Sequence, residues 1–240
     1  MRKWGYKMKF EETKVYGFEN ALFGMRLPMC KDLDEVKEKT DSSNLVGMLT
    51  DEYVNIGEKD LDLMKRLIKA DKNGSGQPNS KFLRMIHVQV AITAPLYWWK
   101  EADQYRVSVT TNSTSTMHKL ATAPITKECF EMGDFSDVRF DEEDDCYGML
   151  NEHWDSTIYM CELLRQKFNE TKDKRYWKEL IRLLPESWLQ TRMFDCNYAT
   201  LRNIYRWRKN HKLVEWHKFC EWIESLPYSK ELLTDGEVNF

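Results

Sequence analysis

Residues 86–118 read "IHVQVAITAPLYWWKEADQYRVSVTTNSTSTMH", and three patterns follow one another in them. From Ile86 to Thr93 the residues alternate. Ile86, Val88, Val90 and Ile92 point one way; His87, Gln89, Ala91 and Thr93 point the other. A side-chain period of two belongs to a β-strand with one buried face. Pro95 ends it, because proline has no N–H for a sheet ladder and suits the first turn of a helix. Leu96, Trp99 and Ala102 or Tyr105 then keep helical spacing through Arg106. After Arg106 the pattern gives way to six hydroxyl residues and Asn112, from Thr110 to Thr116. Extended or looped chain is predicted there to about Thr116.

Working outward, helices dominate. "EKDLDLMKRLIKA", 58–70, places Leu61, Met64, Leu67 and Ile68 on one face, and "DKNGSGQPNS", 71–80, stops it with glycines and a proline. Residues 16–50 read as a short helix plus loop around "FGMRLP". Spacings from Leu150 through Trp154, Ile158, Cys161, Leu164 and Phe168 predict a helix. "KRYWKELIRLLP", 174–185, predicts another, ended at Pro185. A last long helix is expected from about Asn197 to Leu226, closed by Pro227. The acidic stretch 133–146 reads as a solvated face or loop. There is no repeat and no linker long enough to separate domains, so a single α+β domain over 1–240 is expected.

The 240 residues, 42% of them hydrophobic, support a core without staples. A net charge of −3 gives no basic field for nucleic acid. No apolar run reaches membrane-span length, and the first twenty residues lack the apolar centre of a signal peptide. A cytoplasmic protein without membrane or nucleic-acid partners is expected. The six cysteines have no C-x-x-C pair and read as reduced and mostly buried. The five histidines carry no metal-binding spacing, so no metal site is expected. Nine tryptophans read first as a thick aromatic core, with flat surfaces for a ring-bearing ligand or a subunit interface as the other reading.

On a helical wheel started at Asn197, Leu201 lies at about 40°, Ile204 at about −20°, Arg208 at about 20° and Glu215 at about 0°. Asn197 and Arg208 therefore share the inward stripe, whereas Arg206 lies opposite. An inward guanidinium needs an anion. Glu215 at i, i+7 is one candidate and a phosphate the other. The hydroxyl run has two readings as well, a sheet edge or turn and a polar binding surface. The basic "RNIYRWRKNHK", 202–212, reads as a solvated helix face.

Two segments taken together resemble the flavin-dependent thymidylate synthases. The family's strand and proline lead into a helix ending in R-H-R, followed by S-x-N-E-x-S-x-R-Y. Here "APLYWWKEADQYR" keeps the final arginine as Arg106. With one inserted residue, Asn112 and Ser115 meet the family's asparagine and serine. In "LLPESWLQTRMFDCNYATLRNIYRWR", Asn197 stands twelve residues after Pro185. Asn197, Asn203 and Arg208 fall on the family's two asparagines and arginine without a gap. The resemblance is strongest over 86–118 and 181–226 and is nearest to the divergent members encoded by phages and prophages. Departures are Gln104 and Tyr105 in R-H-R, Ser113 for the glutamate, and Met117 and His118 for R-Y. Ile181 replaces an arginine, with Arg182 one position away.

The resemblance implies a small, mostly antiparallel sheet packed by long helices. It implies FAD as cofactor, and methylenetetrahydrofolate and NADPH as co-substrates. The reaction would be reductive methylation of a deoxyuridine monophosphate-type nucleotide, in a homotetramer that shares its sites between subunits. Ser115 would be the catalytic residue that polarises the pyrimidine. Arg106, Asn112, Asn197 and Asn203 would contact flavin, and Arg208 the nucleotide phosphate. The alternative is a catalytically degenerate protein of the same fold that sequesters or senses a nucleotide; a third is an enzyme acting on an altered pyrimidine or carbon donor. In an extended segment, Ser113 and Ser115 would share one face, with Thr114 opposite.

Overall fold

The computed structural model describes residues 8–43, 55–71, 78–132 and 146–234. Most of the acidic stretch 133–146 and of the glycine-rich stretch 71–80 lies outside them. The elements are β1 (Lys9–Tyr16), α1 (Phe18–Arg26), α2 (Leu33–Lys39), α3 (Glu58–Ala70), β2 (His87–Pro95), α4 (Leu96–Ala102), β3 (Thr110–Ser113), α5 (Thr116–Lys119), α6 (Cys146–Thr171), α7 (Lys174–Leu183), β4 (Leu189–Asn197), α8 (Tyr198–Arg208) and α9 (Val214–Glu224). The strands form a four-stranded antiparallel sheet in the order β1-β2-β4-β3, and the fold is α+β.

The strand and helices read from periodicity are present. In β2, Val88, Val90, Ile92 and Ala94 are fully buried, as is Ile86 just before it, whereas His87, Gln89, Ala91 and Thr93 are half-buried. α3 has the predicted bounds, but its buried line runs through Asp60, Leu63, Met64 and Ile68, with Leu61 and Leu67 only half-buried. Asp60 draws the helix round: its carboxylate accepts from Arg26 Nε at 2.6 Å and from the Ser42 hydroxyl at 2.6 Å.

Three expectations are corrected. The described part of 16–50, residues 16–43, holds two helices, α1 and α2, rather than one, and β1 precedes them. α4 stops at Ala102, and residues 103–106 turn instead of completing the helix. The single helix expected over Asn197–Leu226 is two. α8 ends at Arg208, Lys209 N–H bonds Tyr205 O, and His211 N–H bonds Arg208 O. The Leu213 N–H then donates to His211 Nδ1 before α9 opens. The i, i+7 spacing of Arg208 and Glu215 on one helix is therefore lost.

Chain contacts group into two compact units. The first comprises 1–9, 92–103 and 112–192. Here α6 and α7 pack together, with Ile158, Cys161 and Leu180 buried against Leu120, Ile125 and Phe130. The second comprises 10–91, 104–111 and 193–240. Within it α8 packs on the 3₁₀ turn Lys81–Met85 and on the π-helical turn Lys230–Thr234. Tyr198 is fully buried and its hydroxyl donates to Pro227 O at 2.7 Å. Trp98 and Trp99 in the first unit and Trp216 in the second are buried, so much of the tryptophan content is core. No described helix is long and apolar enough to cross a membrane.

Candidate functional site

In the second unit β4 runs directly into α8 at Asn197, which is buried. Its Oδ1 accepts the Thr200 N–H at 3.0 Å, an N-cap that an asparagine side chain makes readily. The cap leaves Asn197 Nδ2 as a donor. Ala199, Thr200 and Asn203 on the first turns of α8, with Gln104–Ser108 and Arg84, line an open cavity of about 340 Å³. The Thr200 hydroxyl donates to Val107 O at 3.1 Å and ties the 104–108 turn to the helix. Ser108 holds a left-handed backbone, φ 56°, which costs a non-glycine residue about 1 kcal/mol or more. That local strain sits on the cavity wall.

The lining carries two arginines, Arg84 and Arg106, and no carboxylate. It lies at the start of α8, where the helix dipole favours negative charge, with the Tyr198 N–H already given to Ile86 O and the Thr200 N–H to Asn197. The side chains of Arg84 and Asn203 make no hydrogen bond with any described residue. Tyr105, Val107 and Ala199 add apolar surface. Two planar cations, three amides and an apolar edge suit a ligand with both anionic and ring-bearing parts.

Arg208 reaches this wall through Tyr105. Its Nε donates to the Tyr105 hydroxyl at 2.7 Å. The guanidinium lies 5.4 Å from the Tyr105 ring centre and 4.6 Å from that of the buried Trp216, a stacked placement to which arginine is suited. The inward stripe is real, but what meets the half-buried guanidinium there includes two aromatic rings.

Of the sequence candidates, Arg106, Asn197 and Asn203 meet at one cavity. Asn112 and Ser115 belong to the first unit. There β3 ends at Ser113, and Ser115 O accepts the Lys119 N–H at 2.9 Å, where α5 begins. The alternation expected over Ser113–Ser115 therefore stops after Ser113. Thr114 gives both its N–H, at 2.9 Å, and its hydroxyl, at 3.2 Å, to Thr191 O. Gln190 Nε2 donates to Thr114 O at 3.0 Å and to the Thr116 hydroxyl at 3.2 Å. Arg192 donates from Nε to Gln190 Oε1 at 2.9 Å and from Nη1 to Asp103 at 2.8 Å, and stacks 4.3 Å from the Trp99 ring centre. Arg182, one position from a family arginine, pairs with Glu179 on the surface of α7.

Sequence reading missed Arg84, Gln190 and Arg192. Arg84 has no signal, since it lies in a short 3₁₀ turn. Gln190 and Arg192 had one: at every second residue they share a strand face with Phe194 and Cys196 along β4, polar residues continuing an apolar face. Cysteine chemistry is disfavoured beside the cavity. Cys196 precedes Asn197, and its thiol is pushed well up by burial and then by Asp195, so little thiolate forms. Among the described residues no cluster of three or more His, Cys, Asp or Glu side chains could hold a metal.

No family model matches the chain, and no curated protein sequence does. Solved structures do match. Thymidylate synthase X from Helicobacter pylori, with FAD and dUMP, is 16% identical at a TM-score of 0.60, over 96% of this chain and 98% of that one. The UMP/dUMP methylase PolB from Streptomyces cacaoi, bound with 5-Br dUMP, is 13% identical at 0.59, over 95% of both chains. The chain has the flavin-dependent thymidylate synthase fold.

Proposed function

We propose that this chain is a divergent flavin-dependent thymidylate synthase-like protein. On this reading FAD binds at the start of α8, the chain takes a deoxyuridine monophosphate-type nucleotide, and residues 1–240 work as one domain. The observation that carries it is the meeting of Arg106, Asn197 and Asn203 on one anion-suited cavity, in a fold that includes the Helicobacter pylori enzyme solved with FAD and dUMP. Arg84 and Arg106 take the cofactor's phosphates, and Asn203 and the free Nδ2 of Asn197 orient it. Bound FAD would supply the hydride chemistry of a C5 reductive methylation, with methylenetetrahydrofolate and NADPH as co-substrates. Ser115 polarises the pyrimidine, Asn112 contacts flavin, and Arg208 contacts the nucleotide phosphate while holding Tyr105. The active form is a homotetramer in a bacterial or phage-infected cytoplasm.

The test is the visible spectrum before and after adding FAD, followed by single-turnover oxidation of reduced flavin with dUMP. A flavin band, and oxidation lost in Ser115→Ala but kept within a few-fold in Thr114→Val, support the reading. Light scattering that gives a monomer removes the tetramer. A second reading, a nucleotide-binding protein without the redox step, is favoured by Gln104 and Tyr105, which stand where the family has arginine and histidine. It predicts nucleotide binding by a colourless protein that FAD does not colour.

A further inference from the structure

α8 buries Tyr198, Ala199, Leu201, Arg202 and Ile204, so beyond its first turn the face opposite Leu201 and Ile204 is turned outward. On that face Thr200, Asn203 and Trp207 fall within about 60° of one another at 100° per residue. Thr200 and Asn203 line the cavity. Trp207, one turn beyond Asn203, is 61% exposed. A single exposed tryptophan is ordinary on a protein surface. One that continues the stripe of a cavity lined by two arginines is placed to act on whatever fills that cavity. Seven residues of helix separate Thr200 from Trp207 by about 10 Å, a span of the order of that between the phosphate and the ring of a nucleotide. Val107, 82% exposed, gives the cavity an apolar edge of its own.

We infer that Trp207 is the stacking platform for a planar ring of the ligand whose phosphates sit at the start of α8. This rests on the reading of that cavity as a dinucleotide site. An indole face offers stacking to either ring of such a molecule. Trp207 then sets selectivity for a ring-bearing phosphate over a bare one, which Arg84 and Arg106 cannot do alone.

The test is calorimetric titration of the full chain with FAD, ADP and FMN, for wild type, Trp207→Phe and Trp207→Leu. Both variants keep apolar bulk at an exposed position, but only phenylalanine keeps a ring. The expected result is FAD affinity within about threefold for Trp207→Phe and about tenfold weaker for Trp207→Leu. The loss should recur with whichever half, ADP or FMN, carries the stacked ring. Trp207→Leu binding FAD as wild type does overturns the inference, as does an equal loss in both variants. If wild type binds none of the three ligands, the dinucleotide reading itself fails and takes this inference with it. If Arg106→Ala weakens binding while Trp207→Leu does not, the reading stands and the platform falls.

Discussion

The hydroxyl-rich segment of the first unit and the cavity of the second are both polar, yet they spend their polar groups differently. Around Thr110–Thr116 donors and acceptors answer one another: Thr114 and Thr116 to Thr191 and Gln190, Arg192 to Gln190 and Asp103, with Trp99 beneath. Around the cavity, the side chains of Arg84 and Asn203 have no hydrogen-bond partner among the described residues. A run of Ser and Thr looks like a binding surface in sequence, but half of it here is satisfied by β4. The polar groups left over are the ones that mark a site.

The widest separation between the two regions comes from Trp99→Ala. Trp99 is buried, donates from Nε1 to Gln190 O at 3.0 Å and supports Arg192. Its loss costs about 3–5 kcal/mol in denaturant unfolding, and FAD affinity of the folded fraction is unchanged. Arg106→Ala gives the mirror result. FAD binding weakens by about 1.5–3 kcal/mol, and unfolding moves by no more than about 0.5 kcal/mol. Equal loss of stability in Arg106→Ala would erase the contrast.

Acid probes the first unit through Glu162. The bidentate Arg165 contact leads in holding this carboxyl down to about 2 from an ordinary 4.5, helped by the Ile125 N–H and Gln166. The folded value lies below the unfolded one, so the stabilisation is complete above pH 4.5 and fades as pH falls towards 2. Screened by solvent it amounts to about 1–2 kcal/mol. Glu162→Gln should flatten that part of the pH–stability curve, and a curve unchanged by the substitution would remove the ion pair's role. The smallest effect is Thr114→Val. It deletes one exposed hydrogen bond at 3.2 Å, for about 0.5 kcal/mol of stability with no change in FAD affinity.

Why some of this could be read beforehand is physical. β2 has one face fully buried and one half-buried, so its alternation is legible. β1 buries Val15 alone among its eight residues, and Glu12 has a left-handed φ of 54°, which breaks the period. β4 places Gln190 and Asn197 at buried positions, which hides it from a hydrophobic pattern. The break between α8 and α9 has no proline or glycine; backbone and His211 contacts make it, and a wheel cannot show these. At the site, Arg106, Asn197 and Asn203 were legible only through motif spacing. Arg84 arrives by a tertiary approach that no local pattern encodes.

The buried thiols give each unit its own clock. Burial raises Cys161 of the first unit to about 11, and burial, with nearby Glu224 and Glu221, raises Cys220 of the second to about 12. At pH 7.5 a thiol at 11 is ionised in roughly three molecules per ten thousand, so an alkylating reagent meets thiolate almost only when the surrounding packing opens. Cys30 and Cys129, half-buried, react first and can be blocked in a short pulse. The slow modification that follows, of Cys161 in the first unit and of Cys196 and Cys220 in the second, then times the opening of the two units separately, in one tube and without an added label.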